Sequence, residues 1–278
     1  MAQATHGEKV QYWARCYVDK WRAMQDAVRP HAPNAGVWFY APFPSVAHVD
    51  PLDDYDPFLR ILAGLGAKLT VFPFYYGIEY NQAEYMVRRW KDAGAERVVF
   101  LPMRDFMTKP SQFMRAVTAA RRGQADGTCG FNFAVGSAPP EKQWQWKAVM
   151  MAALANFPTP ELGAFCLIEE PAVLLEALAE SDVSVASNST DAAAFVARLR
   201  DRLPGEVRAG DAPAALTIRI DPAAGRADLP EALRAEGKGW LELNGATVRV
   251  SGTDATGVNH ALELLLRFAE LAQAERGR

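Results

Sequence analysis

Between residues 35 and 135 the chain repeats one pattern four times: a short apolar run, then a stretch with helical periodicity. The apolar runs fall at 35–42, 68–76, 97–105 and 127–135, each starting about 30 residues after the last. Runs that stay apolar without alternation are the mark of a strand covered on both faces. Strand–helix alternation at this spacing predicts a parallel sheet with helices against it, an α/β fold. Four units are half of what a closed (β/α)8 barrel needs.

The predicted strands end in residues suited to polar contact. These are Trp38 and Tyr40 on the first, Tyr75, Tyr76 and Glu79 at the second, Arg104 and Asp105 at the third, and Asn132 on the fourth. Parallel α/β folds place their ligand sites at the carboxyl ends of the strands. No G-x-G-x-x-G or phosphate-binding loop follows any of the strands, so the sequence calls for no nucleotide cofactor. A G-x-S-x-G elbow, the mark of many serine hydrolases, is missing as well.

Composition excludes several partners. A net charge of −3 over 278 residues and the lack of a basic run argue against nucleic acid. The four histidines, His6, His31, His48 and His260, have no metal-ligand spacing, so no metal site is expected. Cys16, Cys129 and Cys166 each fall in an apolar stretch and read as buried free thiols. No run is long enough to span a bilayer, and the N-terminus lacks the basic flank and apolar core of a secretory signal; as written the chain reads as cytoplasmic.

A Trp/Tyr-rich helix is expected at 8–29, with Trp13, Cys16, Tyr17, Trp21, Met24 and Val28 on one face. Further helices are expected at 57–65, at 82–93 with Tyr85, Met86 and Trp90 inward, at 112–122 with Ser111 as N-cap, and at 142–155. Residues 161–180 read as helical but punctuated by Pro171, and the domain boundary is placed between about 160 and 182. After it come a strand at 183–186, a helix at 190–203, and strands at 215–220, 239–243 and 247–250. Asn244–Gly245 joins the last two as a hairpin, and a helix at 257–272 closes the chain. This tail reads as an α+β sandwich, one sheet with helices on one face.

The stretch Thr247-Val-Arg-Val-Ser-Gly-Thr-Asp-Ala-Thr-Gly257, running into a Leu-rich helix, carries a pattern. It resembles the small accessory domain beside the catalytic barrel of β-hexosaminidases, α-glucuronidases and related glycoside hydrolases, with Val250, Gly252, Asp254 and Gly257 matching. Leu229-Pro230-Glu231 resembles the segment that precedes the hairpin there, while His260–Ala261 stands where the family often has Tyr-Gly. Physically, the two glycines permit close packing and Asp254 can accept from backbone N–H groups where the helix begins. Residues 8–157 are similar in order and texture to the C-terminal half of a glycosidase barrel. Two departures stand out: the small domain follows the half barrel instead of preceding it, and the first four barrel strands are missing.

The resemblance implies a half-barrel domain over 1–165, an accessory domain over 182–278, and a carbohydrate-active protein. Glycoside hydrolysis needs two carboxyl groups flanking the scissile bond, one protonated and one ionised. Glu79, among Tyr75, Tyr76 and Tyr80, suits the acid; Asp105, beside Arg104, suits the ionised partner. Trp38, Tyr40, Tyr75 and Tyr76 suit stacking on sugar rings, and Arg104 and Asn132 suit polar contacts. The same residues admit a structural account: an Arg104–Asp105 ion pair, a solvated Glu79, and an Asn132 bonded within the fold. Open edges on a four-stranded parallel sheet predict a homodimer or a partner chain that completes the barrel. The alternative is a non-catalytic carbohydrate-binding or scaffold protein on a degenerate barrel.

Overall fold

Thr5-His-Gly-Glu8 opens the chain's first helix, α1 (His6–Val28), with a capping box. The Glu8 backbone N–H donates to Thr5 Oγ1 at 3.3 Å, and the Thr5 N–H donates to Glu8 Oε2 at 2.8 Å. In this computed structural model the described residues are 4–33, 38–41, 70–75, 81–102, 107–128, 144–159, 161–187, 192–210, 213–221 and 228–277. Val18 and Trp21 on α1 are buried, whereas Met24 and Val28, placed on the same apolar face by the sequence, are exposed.

The chain falls into two compact units, Met1–Phe106 with Ala119–Phe133 and Met107–Thr118 with Ala134–Arg278. The first holds β1 (Trp38–Ala41), β2 (Thr70–Tyr75), α2 (Asn81–Asp92), β3 (Arg97–Pro102) and β4 (Gly127–Thr128). These strands form one sheet in the order β1-β2-β3-β4, every pairing parallel. In β3, Val98, Phe100, Leu101 and Pro102 are all buried, so both faces are covered toward its carboxyl end. On α2, Ala83, Met86, Val87 and Trp90 make the buried stripe. Tyr85 does not join it: 42% exposed, its hydroxyl accepts from Arg89 Nη1 at 3.0 Å. The expected inward Tyr85 sits one position off the stripe.

Both helix exits here use the same two bonds. After α2, Ala95 N–H reaches Trp90 O and Gly94 N–H reaches Lys91 O, with Gly94 at φ +99. After α3 (Pro110–Arg122), Ala125 N–H reaches Ala120 O and Gln124 N–H reaches Arg121 O, with Gln124 at φ +71. The glycine stands one residue earlier because a Cβ on Gly123 would lie 2.5 Å from Glu84 O. Asp126 then ties the strand start: its Oδ2 accepts from Val98 N–H at 2.7 Å and from Lys91 Nζ at 2.6 Å.

The second unit adds α4 (Trp144–Asn156), β5 (Ala164–Cys166), α5 (Pro171–Glu180), β6 (Val183–Ser187) and α6 (Ala192–Arg200). It continues with β7 (Val207–Ala209), β8 (Leu216–Ile220), β9 (Gly239–Asn244), β10 (Thr247–Gly252) and α7 (Ala255–Glu275). Its sheet runs β5-β9-β10-β8-β6-β7. Only the β9–β10 hairpin is antiparallel; the other neighbours are parallel. One face is apolar: Leu216, Ile218, Leu241, Val248, Val250 and Val185 are buried, and α7 packs on β9, β10 and β5. From α7, Leu265, Phe268, Ala269 and Ala272 complete that core, with α4, α5 and α6 alongside. The other face carries Arg219 and Arg249, which share the Asp221 carboxylate at 3.0 and 2.8 Å.

Three expectations for this unit are corrected. Residues 161–180 are not one helix: Ala164–Cys166 pairs parallel with Gly239–Leu241, and the helix starts at Pro171. The pairing buries Phe165 against Trp240 at 6.1 Å between ring centroids, a gain that outweighs local helix periodicity. The hairpin turn is Gly245–Ala246, Asn244 still pairing with Thr247, and positive φ at Gly245 alone is the II′ pattern. Ser111 is not the N-cap of its helix. Pro110 starts that helix, where its missing N–H costs nothing, and Ser111 lies inside the first turn.

Together the units make a mixed α/β protein with parallel-strand sheets.

Candidate functional site

The parallel register aligns the carboxyl ends of the first sheet. Ala41 pairs with Pro73, Tyr75 with Pro102, and Phe100 with Thr128. Thr128 Oγ1 donates to Phe100 O at 2.8 Å, closing the β3–β4 pairing where β4's described residues end. Trp38 and Tyr40 lie two residues apart on β1, in register with Thr70 and Phe72, and Tyr75 is the last residue of β2. Tyr76, Glu79, Arg104, Asp105 and Asn132 lie outside the described residues. The backbone thus places three of the eight expected site residues on the first two strands of one parallel sheet.

In the second unit, the Gly-x-Asp-x-x-Gly motif builds a junction between sheet and helix. Asp254 is the N-cap of α7: its Oδ1 accepts from Gly257 N–H at 2.8 Å and its Oδ2 from Gly237 N–H at 2.7 Å. Those backbone donors, Gly257 first and then Gly237, hold the Asp254 carboxyl below its ordinary range. The glycines let backbones touch. A Cβ on Gly257 would sit 2.2 Å from Lys238 O, one on Gly239 1.8 Å from Gly257 O, and one on Gly252 2.4 Å from Val258 N. The roles expected of Gly252, Asp254 and Gly257 are therefore structural, and Gly239 joins them.

No known family model, curated protein or solved structure matches this chain.

Next to that junction lies a cleft of about 480 Å³. Leu162–Ala164 forms one wall, Glu236–Lys238 a second, and His260, Glu263, Leu264 and Arg267 of α7 a third, with Leu154 of α4. The walls are cross-tied. Lys238 Nζ donates to Leu162 O at 2.7 Å, and Gly239 N–H to Gly163 O at 2.9 Å. His260 Nδ1 lies 2.8 Å from Gly237 O, which can only accept, so Nδ1 carries the proton and Nε2 keeps its lone pair in the neutral ring. Gly163 lies so close to that ring that a Cβ would come within 2.6 Å of Nδ1.

Charge in the cleft is balanced. Glu263 is engaged by Arg198, whose Nη2 donates at 2.8 Å, and the Glu263 carboxyl is lowered by that bond. Glu161 and Glu236 then face Lys238 and Arg267, two acids against two bases. Sequence patterning did not single out these residues, because 76 residues separate Leu162 from Lys238 and no local motif links them. In the sequence His260 stands out as one of four histidines without metal-ligand spacing and as the residue where the resembled family often has Tyr.

Among the described residues, no group of three His, Cys, Asp or Glu is placed to hold a metal ion. Also among them, no helix is long and apolar enough to cross a membrane. Cys166 is buried and Cys16 half-buried, neither in a disulfide; Cys129 lies outside the described residues.

Proposed function

We propose that the chain is a carbohydrate-active protein of glycoside-hydrolase type. In this proposal residues 1–165 make half of a (β/α)8 barrel, and residues 182–278 are the accessory domain that the Gly252–Asp254–Gly257 motif resembles. The observation that carries it is the strand order β1-β2-β3-β4, all parallel. Neither common doubly wound order, 3-2-1-4-5-6 or 2-1-3-4-5, contains four consecutive strands as successive neighbours; a barrel contains nothing else.

The site is assigned to the carboxyl ends of these strands, with Glu79 as acid and Asp105 as the ionised carboxylate held by Arg104. Trp38, Tyr40, Tyr75 and Tyr76 supply stacking surfaces, and Asn132 a polar contact. Among the described residues β1 and β4 are the outer strands, and a second copy of the chain supplies the missing half. A two-fold axis generates eight strands from four and brings two sets of strand ends to one pocket.

The test is a panel of aryl glycosides incubated with the full chain. Hydrolysis of at least one is expected, reduced at least about 100-fold by Glu79→Gln or Asp105→Asn. Hydrolysis that survives both changes would remove the strand-end assignment. Sugar binding without hydrolysis, unchanged in both variants, would favour a non-catalytic binding protein instead.

A further inference from the structure

The cleft in the second unit has the chemistry of a small-ligand site in its own right. Its volume of about 480 Å³ falls within the range of small-molecule pockets, roughly 300–1,000 Å³. Its walls are fixed before any ligand arrives. Gly237 is gripped on both sides, its N–H by Asp254 and its carbonyl by His260, while Lys238 Nζ reaches across to Leu162 O. Pre-set walls reduce the ordering cost of binding.

The available groups select the ligand. Among the described residues Glu161 and Glu236 have no hydrogen-bond or ion-pair partner, and with Nδ1 turned to Gly237 O the His260 ring has Nε2 left for a ligand, as an acceptor in the neutral form. Arg267 offers donors, and Leu154, Leu162 and Leu264 give an apolar lining. With acids and bases balanced, the cleft exerts no net pull on an anion or a cation. Several acceptors, a fork of donors and an apolar patch match a neutral polyol with hydroxyl donors, ring oxygens and C–H faces.

We propose that this cleft binds a neutral saccharide, an accessory sugar site separate from the strand ends and resting on the preceding proposal for its ligand class. The ring's hydroxyls donate to Glu161, Glu236 and His260 Nε2, and its oxygens accept from Arg267.

The experiment is a titration of the full chain with glucose, galactose, mannose, xylose and N-acetylglucosamine to about 10 mM, where a millimolar site is mostly filled. The wild type is compared with Glu161→Gln/Glu236→Gln and with Glu79→Gln/Asp105→Asn. Both cleft positions are exposed and hold up no other group, so the first variant is expected to melt with the wild type. Expected is binding of at least one sugar that weakens at least about tenfold in the cleft variant and persists in the strand-end variant. Binding lost only in the strand-end variant overturns the cleft and leaves the strand-end site standing. No binding by the wild type also overturns the cleft, while the aryl-glycoside assay judges the strand ends separately.

Discussion

Ser111 and Glu275 stand 164 residues apart in the chain, yet one carboxylate takes both of the serine's donors. Glu275 Oε2 accepts the Ser111 N–H at 2.7 Å and Oε1 accepts the hydroxyl at 2.6 Å. Both residues are only 4% exposed. The N–H at this second helical position has no partner inside α3, so the last turn of α7 supplies it.

Removing that carboxylate leaves a buried N–H unsatisfied. Glu275→Ala is expected to cost about 1–3 kcal/mol in chemical denaturation. Ser111→Ala loses only the hydroxyl bond and should cost less. A double-mutant cycle should give a coupling of about 1 kcal/mol or more; additive effects would show that the two residues do not act as a pair.

The close backbone contacts around α7 predict opposite signs for similar changes. Gly257→Ala and Gly239→Ala force a Cβ to about 2 Å from a carbonyl oxygen and should each cost about 2–3 kcal/mol or more. Gly7→Ala, in the first turn of α1 with nothing within 4 Å of its would-be Cβ, should stabilise by about 0.5–1 kcal/mol. Thermal melting of the three variants checks the pattern, and equal effects at all three would refute the close-approach account.

Much of this junction was legible in the sequence, because a glycine or a capping aspartate reports backbone geometry directly. Gly252, Asp254, Gly257 and the Asn244–Gly245 turn signal are of that kind. Pairings between distant segments leave no such mark. Residues 164–166 form a strand only because Trp240 and Leu241 lie beside them, and alone they continue a helical pattern. Ser111 was misplaced as a cap although Pro110, the better start signal, precedes it. The parallel α/β character of the first sheet followed from spacing, while the cleft of Glu161, Glu236 and His260 had no spacing to reveal it.

Asp254 sets an acid limit on the junction. Its folded pKa lies below the ordinary 3.8, because the Gly257 and Gly237 N–H groups favour the charged form. A lowered folded value means that its stabilisation is complete above that ordinary value and fades as pH falls through the folded one. The stability difference between wild type and Asp254→Asn should therefore be flat from pH 7 to about pH 5 and shrink below about pH 4. Urea midpoints measured across that range check it; a difference that grows on acidification would reverse the assignment.

The most direct measurement is the specific rate of aryl-glycoside hydrolysis as a function of protein concentration, with molecular mass followed in parallel. A site at the strand ends that needs a second copy predicts a specific rate rising with concentration as monomer gives way to dimer, then levelling. A constant specific rate from a monomer, or no hydrolysis by a fully dimeric sample, would contradict it.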